Sequence, residues 1–143
     1  MHKFEQLEVW VLAIEYTDLC YSIAERLPKH EDYNLTSQIR RAAVSVALNI
    51  AEGSTGQSDA EQARFLSMAI RSLLETVACQ HLIHRRGYLN DSASLREAYQ
   101  ASERLVAKLH SLRRTILKER TLHEESEEYI VDSRTPFDEQ DHD

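Results

Sequence analysis

His81 and His84, three residues apart and close to Cys79, are the most suggestive metal-ligating group in the chain. Imidazoles at that spacing share one face of a helix and can hold one ion between them. Two ligands without a partner cluster fall short of a site, and interface or surface histidines are the simpler reading. Glu-x-x-His, the pattern of carboxylate-bridged metals in helical bundles, occurs only as Glu139 to His142, near the C-terminus and outside any helix that could face another. Glycines at 53, 56 and 87 cannot build a phosphate-cradling loop. Serine, cysteine and histidine are all present, but their order matches no nucleophile motif. The expectation is therefore no catalytic residue, no metal and no cofactor.

Phosphate recognition is the other chemistry the residue types allow. Residues 104–120 carry Arg104, Lys108, Arg113, Arg114, Lys118 and Arg120 against Glu119 alone, a local net of +5. The formal net charge of −7 looks like an argument against nucleic acid, because phosphate binding needs a basic footprint. The charge is unevenly spread, however. Residues 121–143 hold nine acids and one base, Arg134, whereas residues 1–120 hold 16 bases and 15 acids. A near-neutral body of +1 carries an acidic appendage of −8, so the overall charge describes neither part. Two divisions follow: a domain over 1–120 and an acidic, disordered tail over 121–143.

The segment from Gln38 to Gly53 is the most informative. In a helix, Arg41, Ser45 and Glu52 fall on one line with Asn49 beside it, while Arg40 points among Ala43, Ala47 and Ala51. An arginine flanked by alanines on a packed face must satisfy its guanidinium. An acid on a neighbouring helix or subunit is the expected partner, because unpaired buried charge costs several kcal/mol. A phosphate is the functional alternative.

These residues have to be positioned by helices. With 3 Gly and 2 Pro in 143 residues, folds that need many tight turns are at a disadvantage. Four helical stretches are predicted. The first covers about 4–27 and stops at Pro28. The second covers about 36–52 and ends at Gly53, read as a left-handed terminator. The third opens on the capping pair Ser58 and Glu61 and closes at Gly87. The fourth starts near Ser92, with Ser94 and Glu97 as a capping pair, and runs to about 121. Short connections imply an all-α, antiparallel up-and-down four-helix bundle.

The first helix is apolar on two sides. Leu7, Trp10, Ile14, Thr17, Tyr21 and Ala24 form one stripe, and Val9, Ala13, Tyr16, Cys20, Ile23 and Leu27 form another nearly opposite. Four helices around one core rarely engulf a member so fully, which points to an oligomer interface. On the fourth helix, Arg96, Arg104, Lys108, Arg114 and Lys118 project away from a single apolar side. Two cysteines in apolar helical contexts and the absence of a charged-then-apolar leader suggest a cytoplasmic protein with reduced thiols. No apolar run reaches the roughly 18 residues that span a bilayer.

The run Gln38-Ile-Arg-Arg-Ala-Ala-Val-Ser45, followed by Asn49-Ile-Ala-Glu-Gly53, resembles the signature of the bacterial 23S rRNA intervening-sequence proteins. Matches continue at Phe4, Leu7, Val9 and Trp10, at Phe65, Leu66, Ala69, Ser72, Leu73 and Glu75, and at Gly87-Tyr88-Leu89, so the resemblance spans 4 to about 120. It implies a four-helix bundle assembling as a ring, a homopentamer, with Gln38, Arg40, Arg41, Ser45, Asn49, Glu52 and Gly53 as motif or interface residues. Some members are encoded within insertions of large-subunit rRNA genes, and a related retroelement accessory protein binds nucleic acid. No catalytic residues come with the family. Arg71 stands where the family pattern has glycine, and the acidic tail has no counterpart, which suggests an accessory function.

The combined expectation is a non-enzymatic oligomer that binds RNA or another nucleic acid through Arg104, Lys108, Arg113, Arg114 and Lys118 repeated around the ring. The alternative is a protein–protein scaffold that uses the oligomer surface and the tail, through Tyr129-Ile-Val131 or Pro136-Phe137. A further expectation is that the tail shields the basic faces.

Overall fold

A computed structural model describes residues 1–56, 58–117 and 134–138. Four helices account for most of them: α1 (Glu8–Glu25), α2 (Leu35–Gly53), α3 (Asp59–Arg86) and α4 (Ala93–Leu117). Short 3-10 turns precede α1 and α2, and no strand occurs among the described residues. Each helix packs against the next and α4 packs back on α1, closing the bundle. Adjacent helices run antiparallel. On the α2–α3 seam Gln38 meets Glu75 and Gly53 meets Phe65, and on the α1–α4 seam Glu8 meets Lys108 and Arg26 meets Ser94.

The ends follow local rules. Ser58 Oγ accepts the Glu61 N–H at 3.1 Å, as the capping spacing predicts. Gly87 closes α3 at φ 67°, a left-handed conformation that an L side chain adopts only with strain. The start of α4 differs from expectation: Asp91 Oδ1 accepts the Ala93 N–H at 2.9 Å, while Ser94 Oγ accepts from Arg26. Gly53 also differs. It is the last residue of α2, and positive φ falls instead on Gly56 and Gly87. Its reason is space, since a Cβ there would lie 2.7 Å from the Phe65 Cβ.

Of the two stripes on α1, the one through Val9, Ala13, Tyr16, Cys20, Ile23 and Leu27 is the core face, and all six are buried. Tyr16 explains the choice. Its hydroxyl reaches Thr76 Oγ1 at 2.6 Å and receives a hydrogen bond from Gln80 Nε2 at 2.8 Å, while Thr76 Oγ1 donates to the Leu73 carbonyl. Tyr16, Thr76 and Gln80 thus link α1 to α3 across the centre of the bundle, with Gln80 Oε1 left buried without a hydrogen-bond partner, and these contacts fix the register of the diagonal pair.

Cys20 and Cys79 are free and buried. Burial pushes the Cys20 thiol up to about 12, opposed by a hydrogen bond from Tyr16, and pushes Cys79 up to about 11, with the Glu75 charge adding to it. Both therefore stay protonated in the fold well above pH 8. Thiol titration at pH 8 is expected to proceed roughly a hundredfold slower on the native chain than in denaturant. Because the folded values lie above the unfolded ones, this contribution to stability is intact below about pH 9 and is lost as the pH rises towards the folded values.

No helix among the described residues is long and apolar enough to cross a membrane. Of the segment expected to be a tail, residues 134–138 are described and lie against the bundle. Phe137 is 1% exposed and belongs to the hydrophobic core cluster. Lys118, Arg120, Tyr129-Ile-Val131, Glu139 and His142 lie outside the described residues.

Candidate functional site

Two surfaces concentrate the residues singled out by sequence. The first is the outer side of α4. Between 104 and 117 there are four bases and no acid. Arg104 and Lys108 are exposed and about 40° apart around the axis, given 100° per residue. Arg114 is half-buried on the same side, about 80° from Arg104 in the other direction. Arg113 does not join them. It lies about 180° from Arg104, at the edge of the apolar face, and its Nε is buried without a hydrogen-bond partner. Lys108 Nζ sits 3.5 Å from Glu8 Oε1, but the two side chains are 48% and 60% exposed, so the pair is weak and water-accessible. His110 feels the field: partial burial, then the Arg114 and Arg113 charges, hold it below the ordinary histidine range. The end of α4 is therefore positive and able to meet an anion.

The second surface is the outer face of α1 and α2. Ile14 and Tyr21, from the α1 stripe left outside the core, are 41% and 37% exposed, and Leu48 on α2 is 57% exposed. A shallow groove joins Tyr21 to Arg40, Val44, Leu48 and Glu52. Arg40 is half-buried there, with its guanidinium 5.5 Å from the centre of the Tyr21 ring. Its Nε is buried and makes no hydrogen bond, and no acid among the described residues forms an ion pair with it. A buried donor left without a partner costs about 1–3 kcal/mol. Among the described residues, the acid expected to partner Arg40 is not found.

The remaining signature residues are chiefly a helix seam. Gln38 Nε2 donates to Glu75, the Ser45 and Ser72 hydroxyls meet at 2.9 Å, and Gly53 admits Phe65. Asn49 Nδ2 donates to the Ser45 carbonyl at 2.8 Å and to its hydroxyl at 3.1 Å, bracing that contact. Each α2 residue of the seam meets an α3 residue of the same resemblance, so the signature records how two helices fit. Arg41 and Glu52 are exposed beside the seam, and Arg71 is an exposed side chain on α3.

His81 and His84 are brought together as their spacing predicts, but the group between them is an aromatic ring. The Phe137 ring centre lies 5.0 Å from that of His81, 5.1 Å from that of His84 and 5.8 Å from that of Tyr99 on α4. Among the described residues no three histidine, cysteine or acidic side chains cluster as metal ligands. The two histidines are recognisable in sequence, whereas their partner lies 53 residues after His84 and gives no local signal.

The family model described as 23S rRNA-intervening sequence protein matches residues 5–111, which covers α1 to α3 and most of α4 and leaves out Arg113, Arg114 and the tail. No curated protein gives a significant match. With three quarters of its length inside the matched region, the chain belongs to the 23S rRNA-intervening sequence protein family.

Proposed function

We propose that this chain is a non-enzymatic, cytoplasmic homo-oligomer, a pentameric ring, that binds RNA through the basic sides of α4 repeated around the assembly. The observation that carries the RNA reading is the acid-free stretch 104–117 with Arg104 and Lys108 exposed on one side. Membership of a family named for an rRNA insertion is compatible with it. Assembly is supported by the apolar Ile14, Tyr21 and Leu48 face and by the unsatisfied Arg40 Nε, which an acid of a second subunit would complete. One weak patch per subunit, repeated, gains affinity through multivalency.

Fluorescence anisotropy with an rRNA fragment tests this reading. The variant Arg104→Gln/Lys108→Gln/Arg114→Gln/Lys118→Gln is expected to bind at least tenfold more weakly than the parent at low salt, with the same assembled mass. Equal affinity would exclude α4 as the binding surface. A second reading is a protein–protein scaffold using the oligomer surface and the acidic tail, in which Phe137, buried against its own bundle, is already occupied within the chain.

A further inference from the structure

Residues 134–138 end in a turn that is organised almost entirely by its own atoms. The Thr135 N–H donates to Asp138 Oδ2 at 2.8 Å and the Thr135 hydroxyl donates to Asp138 Oδ1 at 3.0 Å. The Phe137 N–H donates to Thr135 Oγ1 at 3.2 Å, and the Asp138 N–H closes the turn on the Thr135 carbonyl at 3.3 Å. Pro136, at the second position, presets the backbone for it. A short segment with this many internal bonds loses little freedom on docking, which is how a brief peptide gains useful affinity.

The surface it meets has the opposite character. His81 and His84 on α3 lean against the Phe137 ring with interplanar angles of 53° and 57°, and Tyr99 on α4 meets it at 88°, the edge-to-face arrangement. Three rings from two helices thus enclose a fourth, which is 1% exposed although the histidines themselves are exposed residues. Arg96 Nε stands 4.0 Å from Asp138 Oδ1, adding a charge that recognises the acid after the aromatic residue. Recognition is divided as in a peptide site: one buried anchor, one charged contact and a preformed turn that presents both.

We propose that the groove between α3 and α4 formed by His81, His84, Arg96 and Tyr99 is a peptide-recognition site for a Thr-Pro-Phe-Asp turn, with the chain's own residues 135–138 as its resident ligand. Sixteen residues separate the end of α4 at Leu117 from Arg134. Because groove and ligand belong to one chain, docking is intramolecular, and a modest intrinsic affinity is enough to keep the site filled. The same modest affinity makes the resident ligand displaceable by an untethered peptide of the same chemistry. The site is separable from the RNA reading, because its anchor, Phe137, and its receptor residues other than Arg96 are not those of the basic side of α4.

The test uses the full-length chain. Phe137→Ala empties the groove without touching the helices, and a dye-labelled free peptide of residues 132–140 is then titrated against it by anisotropy. The expected result is saturable binding of the peptide to the Phe137→Ala chain in the micromolar to millimolar range. At least tenfold weaker binding is expected to the unsubstituted chain, whose groove is filled. A peptide with alanine in place of its phenylalanine, and the chain carrying Phe137→Ala with His84→Ala, are each expected to lose binding at least tenfold. No uptake by the Phe137→Ala chain at 1 mM peptide would overturn the recognition site, as would equal uptake of the alanine peptide. Equal binding to the parent and Phe137→Ala chains would overturn the resident ligand.

Discussion

A chain carrying Leu48→Glu together with Ile14→Glu is expected to run as a folded monomer of about 16.5 kDa at concentrations where the parent chain is assembled. Both side chains are more than two-fifths exposed within one chain, so a glutamate at either position reaches water and the bundle keeps its helicity. In an assembly that covers this face, the same substitutions remove two apolar side chains, each contributing about 1.5–3 kcal/mol when fully buried. They also place two carboxylates where desolvation costs several kcal/mol per charge. Each 1.4 kcal/mol is a factor of ten in dissociation constant, so a shift of at least a hundredfold is expected. Native mass measurement beside far-ultraviolet circular dichroism separates loss of assembly from loss of fold. An unchanged oligomer in the double variant would exclude the Ile14–Leu48 face as the interface.

The second large effect is expected inside the chain. Gly53→Ala puts a methyl carbon 2.7 Å from the Phe65 Cβ and 3.4 Å from the Gln62 carbonyl oxygen. A Cβ cannot rotate away, so the contact is relieved only if α2 and α3 move apart, which also stretches the Ser45–Ser72 contact at 2.9 Å. Overpacking of this kind costs about 1–3 kcal/mol. Alanine is the better helix former by up to about 1 kcal/mol, but Gly53 is the last residue of α2, where that gain is smallest. The clash prevails, and Tm is expected to fall by about 3–10 °C for a domain of this size. Glu52→Ala, one residue earlier and exposed, should change Tm by less than about 1–2 °C. A Gly53→Ala chain as stable as the parent would show that close approach is not the reason for this glycine.

Local features were legible where they depend on neighbours in sequence. Ser58 caps α3 and Gly87 closes it because both act within a few residues of their own position. The two-sided character of α1 was visible as periodicity, but periodicity is symmetric between stripes. Only the long-range partners Thr76 and Gln80 decide that the Tyr16 side faces inward. The role of Gly53 was misassigned for the same reason, since its partner Phe65 belongs to the next helix and no turn geometry is involved. Helical phase alone separates Arg113 from Arg104, Lys108 and Arg114, yet counting bases along the chain merges them. Phe137 was legible with Pro136 as a docking element for another protein, but nothing local to it shows that the chain's own α3 and α4 receive the ring.

The central claim, RNA held by basic faces on an assembled body, is tested most directly by the affinity of the full-length chain for an rRNA fragment across a range of salt concentrations. Four phosphate contacts, from Arg104, Lys108, Arg114 and Lys118, at about 0.7 released counterions each for single-stranded RNA, predict a log–log slope of about −3, steeper when several subunits engage one molecule. An affinity that does not change with salt, or no binding at low salt, would contradict it.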